Sequence, residues 1–378
     1  MSPEPLVVRG DDAGAAPRAP ERFWAILVTD PPKDEAGEET RPVSNERRRP
    51  TIDDVAREAG VSRGTVSRVL NGGHWVSDGA RAHVERAIRS TGYRINPHAR
   101  SLATSRTGSV GFLLNESYER FFADPNFLLI LRSAADALAE HGMTLILIMA
   151  DTPDERRRAT EYLTGGHVDG ALVVSSHRDS QELLRTLLGA HLPVVSAGAP
   201  LGFESQVPYA TADDEGGARA MVEHLAAAGH QHIVHIAGPQ DTSGGTGRLR
   251  AFRAARGDRY ADEQVAFGDF GRASGARAMR ELLSRGLPFD AVFCANDLMA
   301  AGAMDVLAEA GIRVPDDVAV AGFDDAPVAL ETTPALTTVH QPFDRVSREM
   351  VRLLLEQIGG GTAAPVTLPT EIVVRGTA

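Results

Sequence analysis

From Ser109 onward, apolar runs of three to six residues alternate with longer amphipathic segments, and no other feature of the chain constrains its fold as strongly. The runs are Val110 to Leu114, Thr144 to Met149, Gly170 to Val174, Pro193 to Val195, His232 to Ile236, Ala291 to Cys294 and Val318 to Ala321. Between them, helical spacing of apolar residues marks Leu128 to Glu140, Glu215 to Ala228, Ser274 to Ser284 and Leu298 to Glu309. A strand, a crossover helix and a second parallel strand form a unit whose sheet is covered on both faces. About 270 residues of this pattern usually make two sheets, so an α/β fold with two doubly wound parallel sheets is expected. Ligands in such folds bind beyond the carboxyl ends of the strands.

The chain has 378 residues, 43% of them hydrophobic, and a formal net charge of -12. That length points to two or more domains, and the charge is segregated. Residues 51 to 106 carry 9 basic and 5 acidic side chains, whereas residues 107 to 378 carry 22 and 36. Adding Arg41, Arg47, Arg48 and Arg49 and subtracting Glu46 brings residues 41 to 106 to a net of +7. This is a local footprint for a polyanion on an otherwise acidic chain. Cys294 is the only cysteine, which excludes a disulfide framework and a cysteine metal cluster within one chain. No apolar run approaches the ~20 residues of a membrane span, and the start lacks a signal-peptide pattern, so a cytoplasmic protein with no membrane partner is expected. Residues 1 to 50 show no periodicity and read as a disordered extension. Two alternatives are a basic arm over Arg47 to Arg49 and a natural start near Val43.

The segment TIDDVAREAGVSRGTVSRVLN, residues 51 to 71, reads as two helices joined by a tight turn. Thr51 is a good N-cap, and Asp53 and Asp54 place negative charge where the helix dipole favours it. Ile52, Val55, Ala56 and Ala59 form an apolar stripe, Gly60 ends the helix and Ser62 caps the next. There Val66, Val69 and Leu70 face inward, leaving Arg63, Gly64, Ser67, Arg68 and Asn71 on the opposite face. Ser77 opens a third helix, with Ala80, Val84, Ala87 and Ile88 inward and Gly92 at its end. Residues 51 to 95 therefore form a three-helix domain. An exposed face of arginine, serine and asparagine, with a glycine that admits close backbone approach, suits the major groove of DNA. The plainer alternative is a solvated helix pair, which the turn chemistry and basic balance oppose. Thr51, Ser62 and Thr65 complete the candidate DNA-binding set on this domain.

Residues 96 to 106 form a hinge and linker. Asn96 is a plausible cap and Pro97 suits a first helical position, but the eight residues 96 to 103 are too few for a stable isolated helix.

Residues 51 to 71 with the following VSDGARAHVERAIRSTGYRINPHARSLAT resemble the headpiece of the LacI/GalR family of repressors. The likeness continues through TADDEGGARAMVEHLAAAGHQHIVHIAGP, RLRAF, AVFCANDLMAAGAM, VPDDVAVAGFDDAP and PALTTV, to about residue 376. The resemblance implies a repressor that binds a palindromic operator as a homodimer, with no cofactor. It implies a hinge that becomes helical when two copies pack on DNA, Leu102 wedging into the minor groove and Arg100 beside it. Ile95 departs from the family, which usually has proline there, and Pro97 follows two residues later. Residues 107 to 376 are expected to form a periplasmic-binding-protein-like core for effector binding and dimerisation. One subdomain would take about 107 to 208 and 340 to 358, the other 209 to 338 and 362 to 376. No leucine heptad follows, favouring a dimer over a tetramer.

The resemblance also implies a small-molecule effector, of sugar type, at Phe127, Arg248, Phe270 and Asp297. Asp297 follows a strand end and can accept from vicinal hydroxyls; alternatively it caps its helix. Arg248, in a glycine-rich loop that begins with SGGTG at residues 243 to 247 and lies before a helix, offers fixed donors; alternatively it pairs with Asp241 or another surface acid. The two phenylalanines stack on ligand or fill core, and Asn126 replaces the family's usual apolar neighbour of Phe127. Asp213 and Asp214 serve ligand or helix terminus, while Asp324 and Asp325 read as strand-end or interface residues. His230, His232 and His235 alternate along a strand and cannot converge on a metal. The SGGTG segment lacks the ending of a phosphate-binding loop, no GxSxG elbow occurs, and Cys294 lies in an apolar strand and reads as inert. The competing class is a sugar-processing enzyme on a doubly wound fold, with Asp297 and Asp213 as its carboxylates. A transport binding protein is the third, opposed by the N-terminal helices.

Overall fold

The structure, a computed structural model, describes residues 50–70, 76–93, 106–175, 177 and 181–378. The expectations for residues 1 to 49 and for the hinge from 96 to 105 lie outside the described residues. The chain divides into two compact units, residues 1–94 and 95–378. Elements are numbered over the described residues.

The first unit contains α1 (Ile52–Ala59), α2 (Arg63–Leu70) and α3 (Asp78–Thr91). Local hydrogen bonding sets their ends. The Thr51 hydroxyl accepts from the Asp54 N–H at 3.4 Å while the Asp54 carboxylate accepts from the Thr51 N–H at 2.8 Å, a reciprocal box that satisfies two otherwise orphan donors. Gly60 then ends α1 with φ 66°, a conformation a side chain would strain. Ser62 accepts from the Thr65 N–H at 3.2 Å to start α2, and Ser77 accepts from the Ala80 N–H at 3.4 Å to start α3. Val55, Ala56, Ala59, Val66, Val84 and Ala87 form the buried core, with Ile52, Val69, Leu70, Ile88 and Tyr93 packed around it.

In the second unit, β1 (Ser109–Leu114), β2 (Thr144–Met149), β3 (Gly170–Val174), β4 (Val194–Ala197), β5 (Tyr209–Ala212) and β11 (Val366–Leu368) form a sheet in the order β11-β5-β4-β3-β1-β2. All its pairings are parallel. The helices α4 (Tyr118–Ala123), α5 (Pro125–Glu140), α6 (Pro153–Thr164), α7 (Gln181–Gly189) and α13 (Phe343–Ile358) flank it. Alternation along β1 sends Phe112 and Leu114 to a core with Ile130, Leu138, Val346 and Met350, and Leu113 to another with Leu163, Leu184 and Leu187. A second parallel sheet, in the order β7-β6-β8-β9, contains β6 (Ile233–Ala237), β7 (Val265–Phe267), β8 (Ala291–Cys294) and β9 (Ala319–Ala321). Its helices are α8 (Asp214–Ala227), α9 (Ser243–Arg256), α10 (Arg272–Ser284), α11 (Asp297–Glu309) and α12 (Val328–Glu331). A small antiparallel pair, β10 (Thr338–His340) with β12 (Glu371–Val373), packs on this second lobe through Val339 and Ile372.

The two expected parallel sheets are present, and the small antiparallel pair is an addition to them among the described residues. One expectation needs correction. The subdomain boundaries at 209 and 362 shift, because β5 and β11 pair with each other and join the first sheet through β4. The chain therefore passes between lobes after β5, before α13 and between β11 and β12. At the entry to β1, the Asp169 carboxylate accepts from the Thr107 N–H (2.6 Å), the Thr107 hydroxyl (3.0 Å) and the Gly108 N–H (2.8 Å).

Candidate functional site

On α2, Val66 is buried, Thr65 and Ser67 are half-buried, and Arg63, Gly64 and Arg68 are exposed, as is Ser62 before them. The structure thus gathers six of the candidate DNA-binding residues on one short stretch. Arg63 lies 4.0 Å from Asp53, an exposed pair too weak to hold the guanidinium in place. A Cβ added at Gly64 would come no closer than 3.7 Å to another residue, Ser62, so packing within the chain does not demand glycine there. Thr51 is half-buried and its hydroxyl is already bonded to Asp54 at 2.8 Å, which gives it a capping role. Asn71, Arg100 and Leu102 lie outside the described residues.

The second site lies within the second unit, where the carboxyl ends of β1, β3, β4 and β5 face those of β6 to β9 across a cleft with a cavity of about 180 Å³. Arg248 sits at its centre. Its segment Ser243 to Gly247 is the first turn of α9 instead of a loop, started by Thr242, whose hydroxyl accepts from the Gly245 N–H at 3.2 Å. The buried guanidinium donates to Asp214 at 2.8 Å and, at 3.4 Å, to Asp324, and also to the Ala295 carbonyl. It stacks 3.9 Å from the Phe323 ring centre. Asp214 and Asp324, not Asp241, are therefore its acids.

Asp324, read from sequence as a strand-end or interface residue, lines the cleft. It stands at φ 115°, a strained backbone of the kind found at ligand sites. Gln341 donates to its carboxylate at 2.6 Å, and Asn126 reaches from the other lobe to donate at 3.2 Å. Burial pushes this carboxyl up to about 7, against the opposing charge of Arg248. Asp297 is placed differently from the expectation. It has no exposed surface and does not line the cavity. Its oxygens accept from the Ala326 N–H at 2.7 Å and the Thr338 hydroxyl at 2.5 Å. It lies so close under the β9 end that a Cβ on Gly322 would come within 2.2 Å of its Oδ1, so glycine is needed there. Nor does Asp297 cap α11. That role falls to its neighbour Asn296, whose Oδ1 accepts from the Met299 N–H at 3.0 Å and whose Nδ2 donates to the Phe270 carbonyl at 2.9 Å. Asn296 does line the cleft.

Phe127 and Phe270 both line the cleft, Phe270 at φ 68°. The Arg120 guanidinium lies 5.8 Å from the first ring centre and 5.3 Å from the second. Arg120 also pairs with Glu116 at 3.2 Å and donates to the Asp269 carbonyl on the opposite lobe. Sequence reasoning missed Glu116, Arg120, Asp124, Asn296 and Asp324; the last two obeyed the strand-end rule that had selected Asp297. The histidines on and before β6 do not converge. His235 is buried between the Phe252 and Phe293 rings, 4.8 and 4.9 Å away, and burial pushes it down to about 4. The Cys294 thiol, also fully buried, is pushed far up from its ordinary value by desolvation and by Asp297. No described helix is long and apolar enough to cross a membrane.

A three-helix headpiece and a two-lobed core with a cleft together point to the class of DNA-binding transcription regulators. Comparison with known proteins agrees. Residues 51–96 match the family profile described as bacterial regulatory proteins, lacI family, and residues 222–378 match a periplasmic binding protein-like domain. The chain is 45% identical over 335 residues to the HTH-type transcriptional regulator CelR of Thermobifida fusca, covering 87% of this chain and 98% of that protein. It is 35% identical over 315 residues to the ribose operon repressor of Escherichia coli K12, covering 82% and 93%. Among solved structures, a CelR–cellobiose complex matches with a TM-score of 0.70 and 42% identity, covering 87% of this chain and all of that one. The lac repressor dimer bound to operator and the anti-inducer ONPF matches with a TM-score of 0.76 and 28% identity, covering 87% and 99%. The chain belongs to the LacI family of bacterial transcription regulators, and it is a regulator, not an enzyme.

Proposed function

We propose that this regulator binds a palindromic operator as a homodimer and that a sugar-type effector, held between the lobes, controls its DNA affinity. The observation that carries the effector half is the charge balance of the cleft. Glu116, Asp124, Asp214 and Asp324 line it against only Arg120 and Arg248. Both arginines are already neutralised, Arg120 by Glu116 and Arg248 by Asp214. What remains is an excess of acceptors beside two aromatic rings, which suits a ligand rich in hydroxyl donors and disfavours an anion. Phe127, Phe270, Arg248, Asn296 and Asp324 are the residues proposed to hold it, with Asp297 supporting the loop beneath. Cellobiose, bound by the CelR of the solved complex, is the first ligand to try.

The dimer proposal rests on exposed apolar side chains along one set of elements: Phe122 on α4, Leu128 and Leu129 on α5, and Leu147 on β2, the edge of its sheet. Apolar groups on a sheet edge and its flanking helix are a surface that association would cover. The double variant Leu128→Glu with Leu129→Glu is expected to run as a monomer in light scattering while the wild type runs as a dimer. A wild-type monomer at micromolar concentration would remove the proposal.

The DNA half is tested by salt. For a protein that neutralises several phosphates, operator affinity should fall by roughly 100-fold or more between 50 and 200 mM salt. Binding indifferent to salt, or no shift of palindromic DNA at low salt, would refute operator recognition. A cytoplasmic location follows from this function and is proposed with it.

A further inference from the structure

Glu116, in the loop after β1, has more partners than a cleft-wall carboxylate needs. Ser175 donates to it, Arg120 pairs with it at 3.2 Å, and His177 Nε2 lies 3.1 Å from its Oε1. All four residues belong to the first lobe. Two of them also reach across: His177 Nδ1 lies 2.9 Å from Asp241 Oδ2, in the loop after β6, and Arg120 donates to the Asp269 carbonyl after β7. We infer that Glu116, His177 and Arg120 are positioning residues that clasp the second lobe, so that closure over an effector proceeds by forming the His177–Asp241 and Arg120–Asp269 contacts. The inference rests on the cleft being the effector site.

The geometry dictates the protonation state. A neutral imidazole donates from one nitrogen only, so between two carboxylates its other nitrogen would turn a lone pair toward an oxygen. Only the imidazolium satisfies Glu116 and Asp241 together. The charged groups facing His177 are these two, and Arg120 shares the Glu116 Oε1 with it. The Glu116 hydrogen bond, against burial and with the Glu116 and Asp241 charges, pushes His177 up to about 9 from its ordinary 6.5. A raised value means the bridge is fully formed below the ordinary value and is lost as pH rises through about 9. Opening the cleft removes Asp241 but leaves Glu116, so the linkage is that of a single partly exposed ion pair.

The test needs no effector. Cys294 is fully buried, so cysteines placed at exposed Glu182 on α7 and exposed Ala273 on α10 can be labelled selectively in the full-length protein. Distances between the lobes are then read by fluorescence transfer, with unlabelled chain in excess so that each assembly carries one labelled copy. The closed-to-open ratio should fall about two- to fivefold between pH 7 and pH 10, the size expected of one such pair. Asp241→Asn, at a half-exposed position on the second lobe, should give the open ratio already at pH 7 and abolish the pH response. His177→Lys should keep the closed ratio at pH 7 and move the transition above pH 9. One distance distribution across pH 6 to 10, or a pH response surviving in Asp241→Asn, would overturn the inference. A clasp that behaves as described in a protein that ignores every sugar would instead discard the effector proposal and leave the clasp standing.

Discussion

Replacing Asp324 by alanine is expected to weaken effector binding by roughly 100-fold or more, the scale of losing one or two charge-assisted hydrogen bonds, while operator binding survives. The change strips the acceptor from Gln341 and Asn126 and removes one of the three that Arg248 has. Titration calorimetry with the effector, beside operator binding by the same preparation, separates the two activities. Asp297→Ala should behave otherwise. It removes the acceptor of the Ala326 N–H and the Thr338 hydroxyl in a site without solvent, which costs about 2–4 kcal/mol of folding stability. Its melting temperature should fall before its effector affinity does. Undiminished effector binding by Asp324→Ala would place the ligand elsewhere. The pH profile supplies a second check. A ligand that donates hydroxyls to ionised Asp324 prefers the deprotonated group, so its affinity should climb as pH rises through about 7. Loss of the His177 bridge should turn the profile down again near 9.

Arg68→Ala should have the largest effect on DNA. An arginine on the exposed face of α2 that reads a guanine bidentately is worth about 1–3 kcal/mol per site. A symmetric dimer would present it twice, so operator affinity should drop by roughly 30-fold to 20,000-fold. Effector affinity should stay at the wild-type value, since Arg68 belongs to the other compact unit. Quantitative gel shifts on a specific and a scrambled duplex provide the measurement. An equal loss on both duplexes would assign Arg68 to phosphate contact instead of base reading, and no loss on either would remove it from the interface.

The headpiece was legible because its determinants are local. Thr51 with Asp54, Gly60, Ser62 and Ser77 each act within three or four residues of where they stand, and a periodic stripe then reports the buried face. Strands carrying a continuous apolar run, such as Thr144–Met149 and Ala291–Cys294, were equally plain. What escaped was non-local. β7 (Val265–Phe267) and β11 (Val366–Leu368) are short edge strands whose few residues resemble loop, and β5 declares its sheet only by pairing with β4 and β11. The cleft shows the same divide. Asp297 and Asp324 both follow strand ends, and nothing in their spacing says which turns toward ligand. That choice is made in three dimensions, by the positive φ of Asp324 and by Gly322 closing over Asp297.

The grip of Asp169 on Thr107 and Gly108 bears on how any signal leaves the core. Three hydrogen bonds to one carboxylate make the last residues before β1 a rigid bracket on the first lobe, so the tether to the headpiece starts from a clamped point. The chain also passes between the lobes three times, after β5, before α13 and between β11 and β12, and these passages limit how one lobe can move against the other. A movement of the first lobe therefore carries Thr107 and Gly108 with it.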